Sequence, residues 1–476
     1  MANEQSYETV IGLEVHVELA TKTKIFCACA TTFGAPPNTL VCPTCLGMPG
    51  TLPRLNRKVA ELAILVGLAL HCEIQRNTRF DRKNYFYPDN PQNYQISQLY
   101  LPICHDGYLE LESGKRIRIH ELHMEEDAGK LVHDGTSGQT LVDYNRAGVP
   151  LIEIVTEPDF RTAEEVIDFL GRLRTTICYL EASDCKLQEG SMRVDVNLSL
   201  RIAGSDILGT RTEMKNLNSF HAITQMIAAE TERQREILEA GERVTQETRR
   251  WDEDKASSFS MRSKEEAKDY RYFPDPDLPP VKISEEWITA LQARMPEGRD
   301  EKCQRYQTEY GLPEYDARLL TQSIHVARLF ERTAALGAAP KKVGNYLMGE
   351  GFRILREKGL DPERIAISPE HFALLLRMNE EKSITNTVAK QIFEIAFTKD
   401  VDPKAYAEEN GLLTVSEEGV LLETVQKVIA ENEKSVLDYK GGKEKALGFL
   451  VGQTMKAMRG QADPAAVTAL LKECLD

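Results

Sequence analysis

Long apolar runs are missing from this 476-residue sequence. None approaches the roughly 18 residues that a membrane-spanning helix needs. The longest, AELAILVGLAL at residues 60–70, predicts a buried helix instead. The first ten residues, MANEQSYETV, lack the basic and apolar regions of a secretory signal. We therefore expect a cytoplasmic protein that is not associated with a membrane.

Cysteine and net positive charge are also scarce. Ten cysteines in so long a chain are too few for a disulfide scaffold, and only four of them cluster. A net charge of −15 provides no overall attraction for nucleic acid, because phosphate binding requires clustered Lys and Arg. Any contact with RNA is therefore expected to be local.

The two common glycine motifs for nucleotide phosphates, G-x-x-x-x-G-K-[ST] and G-x-G-x-x-G at the start of a helix, are absent. The G-x-S-x-G motif of a nucleophilic serine is absent as well. A nucleotide site in this chain must then depend on metal ions and side chains. Nothing in the sequence indicates that the chain itself hydrolyses amides.

The pattern of the chain changes twice along its length. Residues 1–290 mix alternating strand patterns with a few helical stretches, and they end near FPDPDLPPV at residues 273–281, where four prolines interrupt regular structure. Residues 291–405 and 406–476 are helical in pattern. We predict an α+β protein with an antiparallel-sheet-rich first domain followed by two helical domains.

Two segments alternate polar and apolar residues, as half-buried strands do. They are VIGLEVHVEL at residues 10–19 and SMRVDVNLSLR at residues 191–201. Their polar faces carry ionisable or hydrogen-bonding side chains, which are Glu14, His16 and Glu18 on the first and Ser191, Arg193 and Asp195 on the second.

Carboxylates recur in two further segments, HELHMEEDAGK at residues 120–130 and PLIEIV at residues 150–155. Glu153 lies within the second, apolar segment, where an unpaired carboxylate is costly. If these strands converge, they form an oxygen-rich pocket suited to Mg²⁺. The alternative is that the polar faces simply meet solvent. We favour a functional site for the whole set, which is Glu14, His16, Glu125, Glu126, Glu153 and Asp195.

The segment FDRKNYFYPDNP at residues 80–91 is rich in Pro, Asn and Asp, and we expect an irregular loop there. Its Lys83, with Arg82 and Asn84 on either side, is suited to neutralising a phosphate. A solvated loop is equally compatible with the sequence.

Cys27 and Cys29 form a C-x-C pair, and Cys42 and Cys45 form a C-x-x-C pair after twelve intervening residues. Zinc binds four thiolates tetrahedrally, and two closely spaced pairs can supply them. We predict a structural zinc site that leaves no open position for catalysis. The alternative is a group of four reduced, buried thiols.

Several long motifs in the sequence resemble the B subunits of the heterotrimeric, GatCAB-type tRNA-dependent Glu/Asp amidotransferases. They are ETVIGLEVHVEL (8–19), FDRKNYFYPDNPQNYQISQ (80–98), LHMEEDAGK (122–130), VDYNRAGVPLIEIVTEPD (142–159), MKNLNSF (214–220), ETRRWDE (247–253), DYRYFPDPDLPP (269–280) and GFLVGQTMKAMRGQ (448–461). Together they extend over essentially the whole chain.

This resemblance implies a cradle domain at residues 1–290 with a zinc-binding insertion, a helical domain at 291–405 and a YqeY-like tail domain at 406–476. It implies a ligase that uses ATP and Mg²⁺ to phosphorylate the side-chain carboxylate of Glu-tRNA(Gln) or Asp-tRNA(Asn). Ammonia then displaces the phosphate and leaves the correct amide on the tRNA. The implied partners are an amidase, the A subunit, which supplies ammonia through a channel, and the small C subunit.

The resemblance also implies roles for individual residues. It gives metal-binding or channel-mouth roles to the six residues grouped above, with Glu14, His16, Glu126 and Asp195 as Mg²⁺ ligands. Lys83 is expected to balance phosphate or substrate charge. Further candidates for contacts with substrate or phosphate are Arg82, Asn84, Ser191 and Arg193.

Residues 439–461 are locally basic, with five Lys or Arg against the single acidic Glu444. A charged helix is usually just a solvated surface, whereas the resemblance favours tRNA binding. The basic residues are Lys440, Lys443, Lys445, Lys456 and Arg459. The competing hypothesis is a non-catalytic, zinc-braced tRNA-binding protein of the same complex. The carboxylate set favours an enzyme, because a binding module has no need of it.

Overall fold

The structure is a computed structural model that describes residues 6–136, 138–263, 269–414, 418–443, 445–458, 462 and 464–475. Its backbone contacts divide the chain into two units, Met1–Gly298 and Arg299–Asp476. The first unit is built on antiparallel sheet, and the described part of the second unit is helical. The predicted α+β class is therefore confirmed.

The first unit contains strands and four helices within its described residues. The strands are β1 (Tyr7–Glu18), β2 (Glu73–Ile74), β3 (Asn77–Thr78), β4 (Asp81–Asn84), β5 (Tyr94–Ser97), β6 (Cys104–Glu110), β7 (Arg116–Glu126), β8 (Lys130–His133), β9 (Thr140–Asp143), β10 (Pro150–Thr156), β11 (Met192–Ile202), β12 (Thr212–Lys215), β13 (Glu247–Asp252), β14 (Ser257–Ser263), β15 (Phe273–Pro274) and β16 (Val281–Lys282). The helices are α1 (Arg57–Ala69), α2 (Ala163–Tyr179), α3 (Phe220–Glu239) and α4 (Glu285–Gln292).

A nine-stranded sheet organises this unit, in the order β14-β13-β12-β11-β1-β10-β7-β6-β2. Its neighbouring strands are antiparallel except for the parallel pair β12 and β13. Strand β1 is the central member, and it pairs with β10 on one side and β11 on the other. Smaller sheets are formed by β4 with β5 and β15, by β3 with β16, and by β8 with β9.

Strand β4 corrects the expectation of an irregular loop at residues 80–91. Its four residues pair with β5 on one side, where Lys83 lies opposite Gln95. On the other side Asp81 and Arg82 pair with β15. The prediction of a loop was wrong for this part because two partner strands, distant in sequence, satisfy the backbone hydrogen bonds that local composition does not favour.

The alternation predicted for β1 determines which face of the large sheet is packed. Leu13, Val15 and Val17 are at most 1 % exposed, and they belong to the main hydrophobic core. That core includes the buried faces of α1, α2 and α3. The opposite face of β1 carries Glu14 and His16, which are only partly buried. The functional candidates therefore lie on the face of the sheet that faces away from this core.

The second unit is helical throughout its described residues. Its helices are α5 (Arg299–Tyr310), α6 (Glu314–Leu320), α7 (Ile324–Ala335), α8 (Pro340–Tyr346), α9 (Phe352–Lys358), α10 (Pro369–Glu380), α11 (Asn386–Lys399), α12 (Pro403–Glu409), α13 (Glu418–Glu431), α14 (Glu433–Lys440), α15 (Lys445–Ala457) and α16 (Pro464–Leu475). A π-helical turn, Leu347–Gly351, joins α8 to α9, and a short 3-10 turn spans Pro362–Arg364.

Two separate hydrophobic cores occupy the second unit. The first contains Phe330 and Phe393, and it still includes Ala407 and Leu412 at its edge. The second contains Leu450 and lies in the last four helices. The division into a helical and a tail domain at residues 405 and 406 stays a prediction, and the first core extends past that boundary to Ala407 and Leu412. No helix of the described residues is both long and apolar enough to cross a membrane.

Candidate functional site

The pairing of four central strands brings the polar residues together. His16 of β1 lies opposite Arg193 of β11 on one side and opposite Glu153 of β10 on the other. Glu153 in turn lies opposite His123 of β7. Side chains of directly paired residues emerge on the same face of a sheet. The register alone therefore places a row of charged groups across the sheet.

His16, His123, Glu125 and Glu153 form a compact group that we name the histidine–carboxylate cluster. The Nε2 atom of His16 lies 3.2 Å from Glu153 Oε2 and 3.5 Å from Glu125 Oε1. The Nε2 atom of His123 lies 3.2 Å from the same Glu153 oxygen. Glu153 thus receives two imidazoles, which explains how a carboxylate is tolerated within an apolar strand.

The charges of this cluster stabilise one another. Burial by itself lowers the pKa of His16, but the nearby Glu153 and Glu125 outweigh burial and raise it to about 9. The same balance raises the pKa of His123 well above its usual value. Burial favours neutral Glu153, yet the two histidines hold its pKa well below the usual value. At neutral pH the two histidines are therefore imidazolium ions and Glu153 is a carboxylate.

Lys83 belongs to the surroundings of this cluster. Its Nζ atom lies 4.9 Å from the centre of the Tyr270 ring. Burial lowers the pKa of Lys83, but Glu125 and then Tyr272 and Glu153 outweigh burial and raise it. The lysine is therefore charged and lies within electrostatic range of Glu125 and Glu153. Its predicted role in balancing phosphate or substrate charge stays a prediction.

Glu14, Asp195 and Glu213 form a second group, which we name the acidic cluster. Glu14 lies directly opposite Asp195 in the register of β1 and β11. Asn197 donates a hydrogen bond of 3.0 Å to Glu14. Lys215 contacts Asp195 and lies 2.6 Å from Glu213. Burial first, and then Glu153 and Glu213, raise the pKa of Glu14.

In both clusters the potential donor atoms lie close enough together to share a divalent cation, but the protonated His16 would first have to lose its proton. In each, three ligating atoms lie within 4.8 Å of one another, from His16, Glu125 and Glu153 in one and from Glu14, Asp195 and Glu213 in the other. Mg²⁺ prefers oxygen ligands. The acidic cluster offers oxygen alone, so it fits Mg²⁺ better than the cluster that contributes a histidine nitrogen.

Glu126 joins neither cluster. Successive residues of a strand point to opposite faces, and Glu125 already occupies the cluster face. The Oε1 atom of Glu126 accepts hydrogen bonds of 3.0 Å from the Ile96 N–H and from the Gln92 side chain. It lines a cavity that also has Cys45 in its wall. The geometry thus separates Glu126 from the ligand set in which it was predicted, and its role stays a prediction.

Arg82 and Asn84 lie on strand β4 and are held by their own chain. The Arg82 guanidinium donates hydrogen bonds of 2.8 Å to Asp275 and 2.7 Å to Asp277. The Asn84 amide donates a hydrogen bond of 2.8 Å to the Arg271 carbonyl. These contacts hold β4 against the segment near β15 and thereby position Lys83. Their predicted contacts with substrate stay predictions.

Ser191 and Arg193 are likewise engaged within the chain. Ser191 donates a hydrogen bond to Asp184, and Arg193 contacts the buried Asp127. A second group, Glu18, lies 3.8 Å from the Arg193 guanidinium. Within the described residues, the buried Nε atom of Arg193 has no hydrogen-bond partner. Arg193 lies directly beside His16 in the register, so it borders the histidine–carboxylate cluster.

The four predicted zinc ligands come together. Donor atoms of Cys27, Cys29, Cys42 and Cys45 lie within 4.8 Å of one another. The Sγ atoms of Cys42 and Cys45 are 3.9 Å apart, close to the spacing of about 3.8 Å that a tetrahedron with zinc–sulfur bonds of about 2.3 Å requires. The backbone N–H of Cys42 also donates to the Cys45 sulfur over 3.2 Å. This donor set fits zinc.

The thiol of Cys45 is the most acidic of the set. A hydrogen bond from Cys27 lowers its pKa, and the Cys42 N–H and the Lys24 ammonium lower it further. These effects outweigh burial and bring the pKa of Cys45 to about 4. A thiolate, the form that binds metal, is therefore available at neutral pH.

Sequence reasoning missed three members of this site, His123, Glu213 and Lys215. His123 was visible as the residue two before Glu125 on the same strand face. Glu213 and Lys215 alternate with the buried Thr212 and Met214 in the short strand β12. That alternation was the available signal, but four residues are too few to stand out without the partner strand.

Comparison with known proteins first gives the class. Residues 9–289 match the GatB/GatE catalytic domain, and residues 328–475 match the GatB domain. The chain therefore belongs to the GatB family of amidotransferase B subunits, which confirms the resemblance drawn from its motifs.

Individual relatives agree along the whole length. The chain is 61% identical to the B subunit of the aspartyl/glutamyl-tRNA(Asn/Gln) amidotransferase of Lachnospira eligens, with 99% of this chain and 100% of the relative aligned. It is 59% identical to the protein of the same name from Agathobacter rectalis, again over 99% and 100% of the two chains. For Lachnoclostridium phytofermentans the identity is 58%, over 98% and 99%.

Glu126 predicts a distinctive pH dependence of stability. Burial raises its pKa from 4.5 to about 8, so the folded protein keeps the proton over a range in which the unfolded chain loses it. The stability of the wild type should therefore fall, relative to Glu126→Gln, as the pH rises from about 4.5 to about 8. Chemical denaturation in magnesium-free buffer at several pH values measures this difference.

The exposed Glu239 provides the matched control for this experiment. Glu239→Gln should show the same pH profile as the wild type, because its side chain is exposed at the end of α3. Parallel profiles for wild type and Glu126→Gln would contradict the neutral, buried state of Glu126.

Proposed function

We propose that this chain activates the side-chain carboxylate of Glu-tRNA(Gln) or Asp-tRNA(Asn) with ATP, as the ligase component of a tRNA-dependent amidotransferase. The observation that carries this proposal is the pair of carboxylate-containing clusters on one sheet face, each with a lysine nearby. The names of the relatives support the tRNA substrates. Ammonia would then convert the activated group to Gln-tRNA(Gln) or Asn-tRNA(Asn).

The first step transfers a phosphoryl group. A carboxylate oxygen of the substrate attacks the γ-phosphorus of ATP, the bond to the bridging oxygen breaks, and ADP leaves. Such transfers depend mainly on positioning and on neutralising the charge of the migrating group. Bound at the acidic cluster by Glu14, Asp195 and Glu213, Mg²⁺ would neutralise charge on phosphate oxygens. Lys83 and Lys215 are placed to reduce the repulsion between the two anionic reactants.

In the second step the nitrogen of ammonia attacks the activated carbonyl carbon, and the phosphate leaves. The nitrogen loses a proton in forming the amide, so the site needs a group to receive it. Burial raises the pKa of Glu126 to about 8, so its carboxyl group is mostly protonated but keeps an ionised fraction near neutral pH. That ionised form would accept the proton from the nitrogen and then release it to water. We place it along the route of ammonia rather than at the metal.

Ammonia must come from another polypeptide, because this chain lacks a motif for amide hydrolysis. The relatives are named as B subunits, a name that describes an enzyme of several polypeptides. We propose that an amidase, the A subunit, supplies the ammonia and that the small C subunit is the third member. The assembly would act in the cytoplasm during protein biosynthesis.

Asp195→Asn tests the catalytic proposal. The substitution removes one negative charge from the acidic cluster and leaves Lys215 with Glu213 alone. The assembled complex should then release γ-phosphate from ATP at least about 100-fold more slowly with mischarged tRNA, the size of effect typical of losing a preorganised charge. Release of labelled phosphate measures the rate, and amide formation on the tRNA is followed in parallel.

Asp254→Asn is the matched control, since Asp254 is exposed in the turn between β13 and β14. It should retain the wild-type rate. Undiminished phosphate release by Asp195→Asn would support the competing hypothesis, in which this chain binds tRNA and braces its fold with zinc while its partners carry out the chemistry.

We also propose that Cys27, Cys29, Cys42 and Cys45 hold one structural zinc ion. Their spacing and the hydrogen bond to Cys45 support it. Four protein ligands leave no position for substrate, so the ion would stabilise the segment and take no direct part in catalysis.

The double variant Cys42→Ser, Cys45→Ser tests the zinc site. It removes two of four ligands, so the purified protein should fall from about one zinc per chain to almost none. Elemental analysis measures the content. The control Cys303→Ser, Cys474→Ser removes two thiols outside the cluster and should keep the metal. Full zinc content in the first variant would rule out this ligand set.

The tail offers a basic surface for tRNA. Lys440, Lys443, Lys445 and Lys456 are all exposed on or next to α14 and α15. Lys443 also pairs with Asp438 at 2.8 Å, which weakens its contribution. Arg459 lies outside the described residues. We propose that the three lysines other than Lys443 contact RNA phosphates.

Replacing Lys440, Lys445 and Lys456 by Ala should lower the affinity for tRNA. It should also make that affinity less dependent on the salt concentration. Each lost phosphate contact reduces the slope of log affinity against log salt by about 0.7 to 0.9. Titration of tRNA at several salt concentrations measures both quantities. The control variant Lys358→Ala, Lys399→Ala, Lys404→Ala removes exposed lysines elsewhere in the second unit. An equal loss in both variants would contradict a specific tail surface.

A further inference from the structure

Lys24 is the most unusual charged residue outside the carboxylate clusters. Its side chain is 0% exposed and is among the largest fully buried side chains of the protein. A buried ammonium is costly unless an anion accompanies it. Within the described residues, no carboxylate oxygen lies within 4.0 Å of its Nζ atom. The anion that makes this burial tolerable must therefore be something other than Asp or Glu.

The neighbours of the Lys24 ammonium identify that anion. Its Nζ atom lies 3.5 Å from the Sγ atom of Cys45. It also donates a hydrogen bond of 3.2 Å to the carbonyl of Tyr144. A carbonyl satisfies a donor but carries no charge, whereas Cys45 belongs to a group of four thiols with the geometry of a metal site. The charge partner of Lys24 is thus the sulfur cluster.

The backbone fixes this arrangement. The N–H of Lys24 donates to the carbonyl of Cys29 over 2.9 Å, which ties the lysine to the first cysteine pair. Gly148, with a φ of +83°, packs beside it, and a Cβ atom there would lie 3.5 Å from Lys24 Cδ and 3.7 Å from Cys45 Cβ. The glycine lets the loop before β10 pass close to the lysine and the sulfur.

A Cβ atom at Gly148 would also lie 3.9 Å from Oε2 of Glu126. Lys24, Cys45 and Glu126 also line one cavity. The cysteine cluster therefore lies next to Glu126. Its lysine and one of its ligands form part of the wall around the buried glutamate.

We propose that Lys24 is the fixed countercharge of the four-cysteine metal site and a positioning residue for the wall of the Glu126 cavity. This inference rests on the proposed zinc site. Four thiolates and one Zn²⁺ carry a net charge of −2, and the ammonium reduces it to −1. Because the metal-bound site carries more negative charge than a metal-free site with a thiolate at Cys45, the lysine stabilises the metal-bound form more than the metal-free form.

Lys24→Met removes the charge while keeping a side chain of similar length. We expect its zinc affinity to fall by about 10- to 100-fold, the usual cost of losing a group in the outer shell of a metal site. Lys24→Gln keeps a donor for the Tyr144 carbonyl but no charge, and it should lose affinity similarly. Competition with a coloured zinc chelator, on the full chain, measures the dissociation constants.

Lys22→Met is the matched control, since Lys22 lies two residues away and is exposed. Its zinc affinity should equal that of the wild type. Wild-type affinity in Lys24→Gln would overturn the inference and leave the zinc site intact, because it would show that the hydrogen bond suffices. A wild-type protein without zinc would overturn both the metal site and the role of Lys24.

The rate of zinc release provides a second measurement that does not depend on activity. At saturating zinc, Lys24→Met should release its metal faster to excess chelator than the wild type does. The pH profile of stability that belongs to Glu126 should also shift, because the wall beside its carboxyl changes. A Lys24→Met protein with unchanged metal release and an unchanged profile would contradict the proposed link.

Discussion

Repulsion among carboxylates on one face of a sheet is the constraint to which the rest of the site responds. Glu14, Glu153 and Asp195 come from three neighbouring strands, and strand spacing of about 4.8 Å leaves their charges little room to separate. Glu153 and Asp195 each have a compensating cation beside them, whereas Glu14 accepts a hydrogen bond from the neutral Asn197 amide. Glu153 lies between two histidines, while Asp195 contacts Lys215. The raised pKa of Glu14 and the lowered pKa of Glu153 are both consequences of this arrangement.

The two faces of strand β7 separate two environments with opposite effects on a carboxyl group. Glu125 points to the face where cations gather, near His16 and Lys83. Glu126, one residue later, points away from them and is held by neutral donors only, so burial raises its pKa. Two adjacent and identical residues thus suit different tasks. Glu125 lies among cationic side chains, and Glu126 is a buried group that holds a proton.

Much of this site could be read from the sequence, and the limits have a clear physical origin. Alternation in β1 and β11 correctly placed Glu14 and Asp195 on polar faces, because the period of a strand is local information. Strand order and register are not local. They decided that Glu213 joins these two residues and that Lys83 lies on a paired strand. They also place Glu126 on the opposite face of the sheet from the other predicted ligands. The run of acidic residues in the sequence could not show this.

The sulfur site and the carboxylate clusters balance charge in different ways, and this difference is consistent with the separate roles that we propose for them. In the clusters the compensating groups are histidines and a lysine at a partly open sheet face, where an arriving divalent cation or phosphate can change their contacts. Beside the cysteines, the compensating ammonium of Lys24 is fully buried and bound to a backbone carbonyl. Rearrangement there would leave a charge without a partner in the interior. A metal held in this way braces the fold, whereas a metal at the open face can take part in a reaction.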